Sequence, residues 1–120
     1  MSPLIQAQQA FLLDAAKLIV KATELGFVVT AGELWRPDEM QRIYVQTGRS
    51  KTLDSQHGKR LAIDLNLFLS GALCTRDQIA PLGQWWEALS PKNRWGGSWR
   101  GQVEAGKSRF VDAPHFERLL

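Results

Sequence analysis

The sequence predicts an α+β fold, a small antiparallel sheet with flanking helices. Three observations lead there. Helical and strand-like stretches alternate in the order helix, strand, helix, strand, helix, strand. The clearest strand has one wholly apolar face, which belongs on a core. The segments around both histidines are long and loop-like, which suits an antiparallel sheet with a site at its margin. The 120 residues fit one domain, 1–120. A chain of this length buries roughly two thirds of its unfolded surface, and 44% hydrophobic content supplies the core without disulfides.

Ser2-Pro3 starts the first helix, with proline at its first helical position. Leu4, Phe11, Ala15, Leu18, Ala22 and Leu25 recur at helical spacing, and Gly26 is a natural stop. Phe27-Val28-Val29-Thr30 reads as a strand. Pro37, Asp38 and Glu39 open a second helix with acids where the helix dipole favours them. Its apolar members are Met40, Ile43 and Tyr44, and Gly48 closes it. The main strand follows Gly58–Arg60. Leu61, Ile63, Leu65, Leu67 and Leu69 point one way, and Ala62, Asp64, Asn66 and Phe68 the other. Ser70-Gly71 is a turn. Thr75-Arg76-Asp77-Gln78 has a capping-box pattern. Pro81 then argues for a short turn first and a third helix from about Pro81, burying Leu82, Trp86 and Leu89. Trp95-Gly96-Gly97-Ser98-Trp99 reads as a loop, whose tryptophans either wall a cleft or pack it down. Phe110-Val111 is the last strand candidate.

A net charge of +3 favours anionic partners without choosing among them. The one small basic cluster is Arg49, Lys51, Lys59 and Arg60. No nucleic-acid-binding motif accompanies it, so no nucleic-acid partner is expected. Cys74 is the single cysteine, which excludes an intramolecular disulfide; it is expected to be a buried spectator. Asp14 and Lys17 interrupt the apolar run of the first twenty residues. Neither a signal peptide nor a membrane span is expected, and the chain should accumulate in the cytoplasm as a monomer.

The two histidines each sit near an aspartate, in Ser55-Gln56-His57 running on to Asp64, and in Asp112-Ala113-Pro114-His115. Two imidazoles and one carboxylate make a three-ligand zinc site with a fourth position open, and the second aspartate would then be a general base. Taken singly, each residue reads more readily as an ordinary loop or capping residue; the two motifs together bring the two readings level. His57 and Asp64 are seven apart, which places them on opposite faces of a continuous strand. They converge only if His57 lies on the preceding loop. Pro114 similarly favours a turn between Asp112 and His115.

In combination, Ser55-x-His57, Ala62-x-Asp64 and Asp112-x-x-His115 resemble a family of bacterial and phage zinc peptidases. That family includes D-alanyl-D-alanine carboxypeptidases and phage L-alanyl-D-glutamate endopeptidases, or endolysins. Arg36-x-x-x-x-Gln41, Gly48-Arg49-Ser50-Lys51-Thr52, the Trp95–Trp99 loop and Phe110-x-Asp112-x-Pro114-His115-Phe116-Glu117 are similar to it too. The resemblance covers about residues 32–117. Arg60 departs from it, because many members carry glycine in that segment.

The resemblance implies a hedgehog/DD-peptidase-like fold with a Zn2+ cofactor. It implies that His57, Asp64 and His115 bind the metal and that Asp112 is the base. Arg36 would stabilise an oxyanion or bind a substrate carboxylate. Gln41 and Ser55 would bind or orient substrate. Aspartate rather than glutamate at position 112 tilts the expectation toward phage endolysins. The expected substrate is bacterial peptidoglycan, cut at L-Ala–D-Glu, with bacteriolysis after release from the cytoplasm. A D-Ala-D-Ala carboxypeptidase and a non-catalytic zinc-containing wall-binding module are the competing expectations.

Overall fold

The structure is a computed structural model that describes residues 1–50, 55–98 and 111–120. Lys51, Thr52, Trp99 and Phe110, named above, lie outside the described residues. The architecture is α+β, with a small antiparallel sheet and helices against it. Helix α1 is Pro3–Glu24, strand β1 Val28–Ala31, helix α2 Asp38–Gln46 and strand β2 Ala62–Leu69. They are followed by β3 Ala72–Leu73, helix α3 Arg76–Leu89, β4 Asn93–Trp95 and β5 His115–Arg118. The sheet runs β1-β2-β5-β4, with β3 paired to β2, and every pairing is antiparallel.

Ser2 caps α1 by accepting a hydrogen bond from the Ile5 N–H at 3.2 Å. Phe11, Ala15, Leu18 and Ala22 form its buried stripe, as their spacing predicts. Leu4 and Leu25, at the two ends, stay exposed. So do Ile5, Leu12 and Ile19, seven residues apart on the side away from the core. Along β2, Leu61, Ile63, Leu65 and Leu67 are buried as expected. Ser70 and Gly71 both take positive φ (51° and 77°), the signature of a two-residue hairpin, and they turn β2 into β3.

Trp86 is at the centre, fully buried, with Phe11 and Phe116 edge-on to it at 5.9 and 6.1 Å between ring centroids. Its indole N–H lies 3.1 Å from the carbonyls of both Arg94 and Glu117, tying β4 and β5 to α3.

Four expectations are corrected. Helix α3 does not wait for Pro81; it begins at Arg76 and carries the proline inside. The capping box is complete, with Thr75 and Gln78 exchanging side-chain-to-backbone bonds. Proline removes only the bond to the Asp77 carbonyl. Asp77 is exposed, so water can replace that bond. Burial of Ile79, Leu82, Gly83 and Trp86 holds the helix as one piece. Thr75→Ala should therefore cost about 1 kcal/mol of stability, read by urea unfolding.

The second correction is in α2, which buries Gln41, while Met40 and Ile43 stay exposed and Tyr44 is half-buried. Third, residues 93–95 form strand β4 where a loop was expected at Trp95. Trp95 is core, packed on Gly83, where an added Cβ would come within 2.1 Å of the indole. Fourth, the last strand follows the Asp112 motif. Val111 is not in a strand, and β5 begins at His115, where Pro114 no longer interrupts the ladder. Cys74 is half-buried, and burial pushes its thiol pKa up, away from the reactive thiolate.

Candidate metal centre

β2 and β5 build the centre between them. Their register sets Asp64 directly opposite His115, so both side chains leave one face of the sheet together. Asp64 Oδ1 lies 3.1 Å from His115 Nδ1. His57 enters from the turn that precedes β2. Successive turn bonds, Gly58 N–H to Ser55 O and Arg60 N–H to His57 O, curl this segment back. His57 Nε2 thereby also comes to 3.1 Å from Asp64 Oδ1. The expected loop position for His57 is thus what allows the pair to converge.

Arg60 takes the left-handed conformation (φ 61°), where a glycine would be at ease. Its guanidinium rests 4.6 Å above the Trp35 ring.

One potential ligand atom from each of His57, Asp64 and His115 lies within 4.8 Å of the other two. A tetrahedral zinc site with bonds of about 2.0–2.1 Å separates its ligand atoms by roughly 3.3 Å. The two 3.1 Å separations to Asp64 are close to that value. The donor set, two imidazoles and a carboxylate, also suits zinc. The remaining ring nitrogens are engaged. His57 Nδ1 lies 3.2 Å from the Leu34 carbonyl, and His115 Nε2 lies 2.6 Å from Glu117 Oε1. The donor chemistry therefore fits a metal ion, and the outer ring nitrogens are already held, while the 4.8 Å bound on the whole group leaves the ligands to draw in around it.

Burial alone would raise the Asp64 pKa. The hydrogen bonds and positive charge of His115 and His57 outweigh it and hold the carboxyl well below its usual range. Burial alone would lower His115, but its bonds to Asp64 and Glu117 raise it to about 10. Asp112 sits beside the three, half-buried. Its pKa is raised chiefly by burial, with the Asp64 charge adding to the shift; His115, His57 and Arg36 oppose it. Its backbone is fixed independently of its side chain. Asp112 N–H donates to Gly96 O at 2.9 Å, and Asp112 O accepts from His115 N–H at 3.0 Å. Gly96 is required there, because a Cβ would come within 2.2 Å of the Asp112 carbonyl oxygen.

Arg36 is clamped. It donates through Nε to Glu33 Oε1 and through Nη1 to Gln41 Oε1 at 2.7 Å, and it lies 4.5 Å above the Tyr44 ring. Its backbone N–H donates to His57 O at 3.2 Å, which links the arginine to the metal-site turn. Gln41 is buried and passes the contact on, Nε2 donating to Ser50 Oγ at 2.8 Å. Ser55 Oγ accepts from the His57 N–H at 3.2 Å. The structure thus places Gln41 behind Arg36 and Ser55 beside His57.

Sequence reasoning assigned no role to Glu33, Tyr44 or Glu117. Glu33 Oε2 accepts from the Tyr44 hydroxyl at 3.0 Å, and the Glu33 backbone carbonyl accepts from Asp64 N–H at 2.8 Å. The available signal for Glu117 was its position two residues after His115, on the same face of a strand.

No protein-family model matches the sequence, and no curated protein matches it. Among solved structures, the crystal structure of the Serratia marcescens L-Ala D-Glu endopeptidase ChiX is similar with a TM-score of 0.65 and 24% identity. The match covers 88% of this chain and 78% of that one. At this identity the likeness establishes the architecture: the chain shares the fold of that endopeptidase.

Proposed function

We propose that this chain is a zinc-dependent peptidoglycan hydrolase that cleaves the L-Ala–D-Glu amide bond of the stem peptide, as a phage or prophage endolysin. The observation that carries the reading is the meeting of His57 Nε2, Asp64 Oδ1 and His115 Nδ1 beside Asp112 and a clamped Arg36. The fold shared with an L-Ala D-Glu endopeptidase supports it.

His57, Asp64 and His115 would hold the metal, which when bound supplies Lewis acidity and a water that reacts at neutral pH. Asp112 accepts a proton from the attacking water and returns it to the leaving amine. Arg36 offers a fixed positive charge for the oxyanion or for a substrate carboxylate. Gln41 and Ser55 act on substrate through the residues they hold.

In this reading the protein would be made in the cytoplasm and reach the wall after release. No helix among the described residues is long and apolar enough to cross a membrane. A monomer is the working state. Sedimentation velocity tests this.

Mass spectrometry of peptides released from purified peptidoglycan, with and without a zinc chelator, tests the function. Chelator-sensitive release of peptides beginning with D-Glu is the expected result. Release of D-Ala alone would reassign the chain as a carboxypeptidase. Zinc binding with no release from several wall types would make it a wall-binding module.

A further inference from the structure

We propose that Glu117 is a positioning residue that fixes the tautomer of His115, committing Nδ1 to the metal and the Nε2 proton to the carboxylate. The inference rests on the metal site argued above. His115 and Glu117 alternate along β5 and so share a face. His115 Nε2–H donates to Glu117 Oε1 at 2.6 Å, shorter than an ordinary N–H···O bond. The ring's other nitrogen faces Asp64 at 3.1 Å. The two carboxylates therefore hold different nitrogens of one imidazole. Glu117, on the nitrogen remote from the metal ligands, is outside the His57–Asp64–His115 group.

Glu117 is itself held firmly. Its carbonyl accepts from the buried Trp86 indole at 3.1 Å, and its backbone pairs with Ala62 on one side and Arg94 on the other. Ala62 adds only a methyl group across the ladder. The two histidines thereby differ. His57 Nδ1 donates to a neutral carbonyl, that of Leu34, whereas His115 donates to an anion. The carboxylate acceptor pre-sets the orientation of the His115 ring.

The test compares the parent with Glu117→Gln and Glu117→Leu. Zinc affinity is measured by competition with a chromophoric chelator, and the His115 tautomer by 15N NMR of the zinc-loaded protein. Circular dichroism checks that each variant is folded. Glu117→Leu should lose about 10–100-fold in zinc affinity and the single-tautomer signature. Glu117→Gln, which retains an acceptor without the charge, should lose less and keep the tautomer. The glutamine variant serves the test if the leucine variant does not fold. Parent-like zinc affinity and an unchanged tautomer in the folded variants would overturn the role of Glu117 and leave the metal site standing. A parent protein that binds no zinc would overturn both readings.

Discussion

Asp112→Ala should bind zinc as the parent does and lose roughly 10²–10⁴-fold in turnover of the stem-peptide amide, the range for removing a general acid–base. The structure makes this a clean substitution. The Asp112 side chain is not in the close ligand group, and its backbone is fixed by bonds to Gly96 and His115 that alanine retains. The metal site should therefore keep its shape while the proton acceptor disappears. Metal content by inductively coupled plasma mass spectrometry and peptide release are measured on the same preparation. Full activity would remove Asp112 from the mechanism, and loss of zinc would make it a ligand.

His57→Ala should lose both zinc and activity, and should also fold less stably. His57 is 1% exposed, and its ring spans the Leu34 carbonyl and Asp64. Removing it strips a ligand, empties buried volume and leaves the Leu34 carbonyl without this partner. Together these should cost on the order of 1–3 kcal/mol. Thermal melting with and without added zinc separates the effects. The parent should gain stability from zinc and the variant should not. Tight zinc retention by the variant would contradict the ligand assignment. The contrast with Asp112→Ala also separates binding from chemistry, since only one of the two should keep the metal.

Much of the fold could be read locally. The stripe Phe11, Ala15, Leu18 and Ala22 follows helical period, and the alternation from Leu61 to Leu67 follows strand period. Both patterns record which side of an element meets the core, so they survive in one dimension. The Thr75–Gln78 box is equally local, and it predicted the start of α3 better than Pro81 did. Strands β3 and β4, of two and three residues, are too short to carry a period; pairing with β2 and β5 creates them. In α2 the buried residue is the polar Gln41, because what it packs against is Arg36 rather than an apolar surface.

Helix α1, the main strand and its core face are legible in the chain alone, and α3 is legible apart from its start. Resemblance also pointed to His57, Asp64 and His115 as candidate ligands, and the tertiary structure brings them together as a group that could hold a metal. The geometry of the site comes from strand pairing. Asp64 meets His115 across 51 residues because β2 and β5 pair in one register, and a shift of one residue would turn them to opposite faces. The engagement of Glu33 and Gln41 with Arg36 was likewise invisible in the chain, and that of Glu117 with His115 left only its two-residue spacing as a trace. A charged side chain can face solvent or a partner with the same local sequence, and the partner is chosen by packing between elements far apart along it.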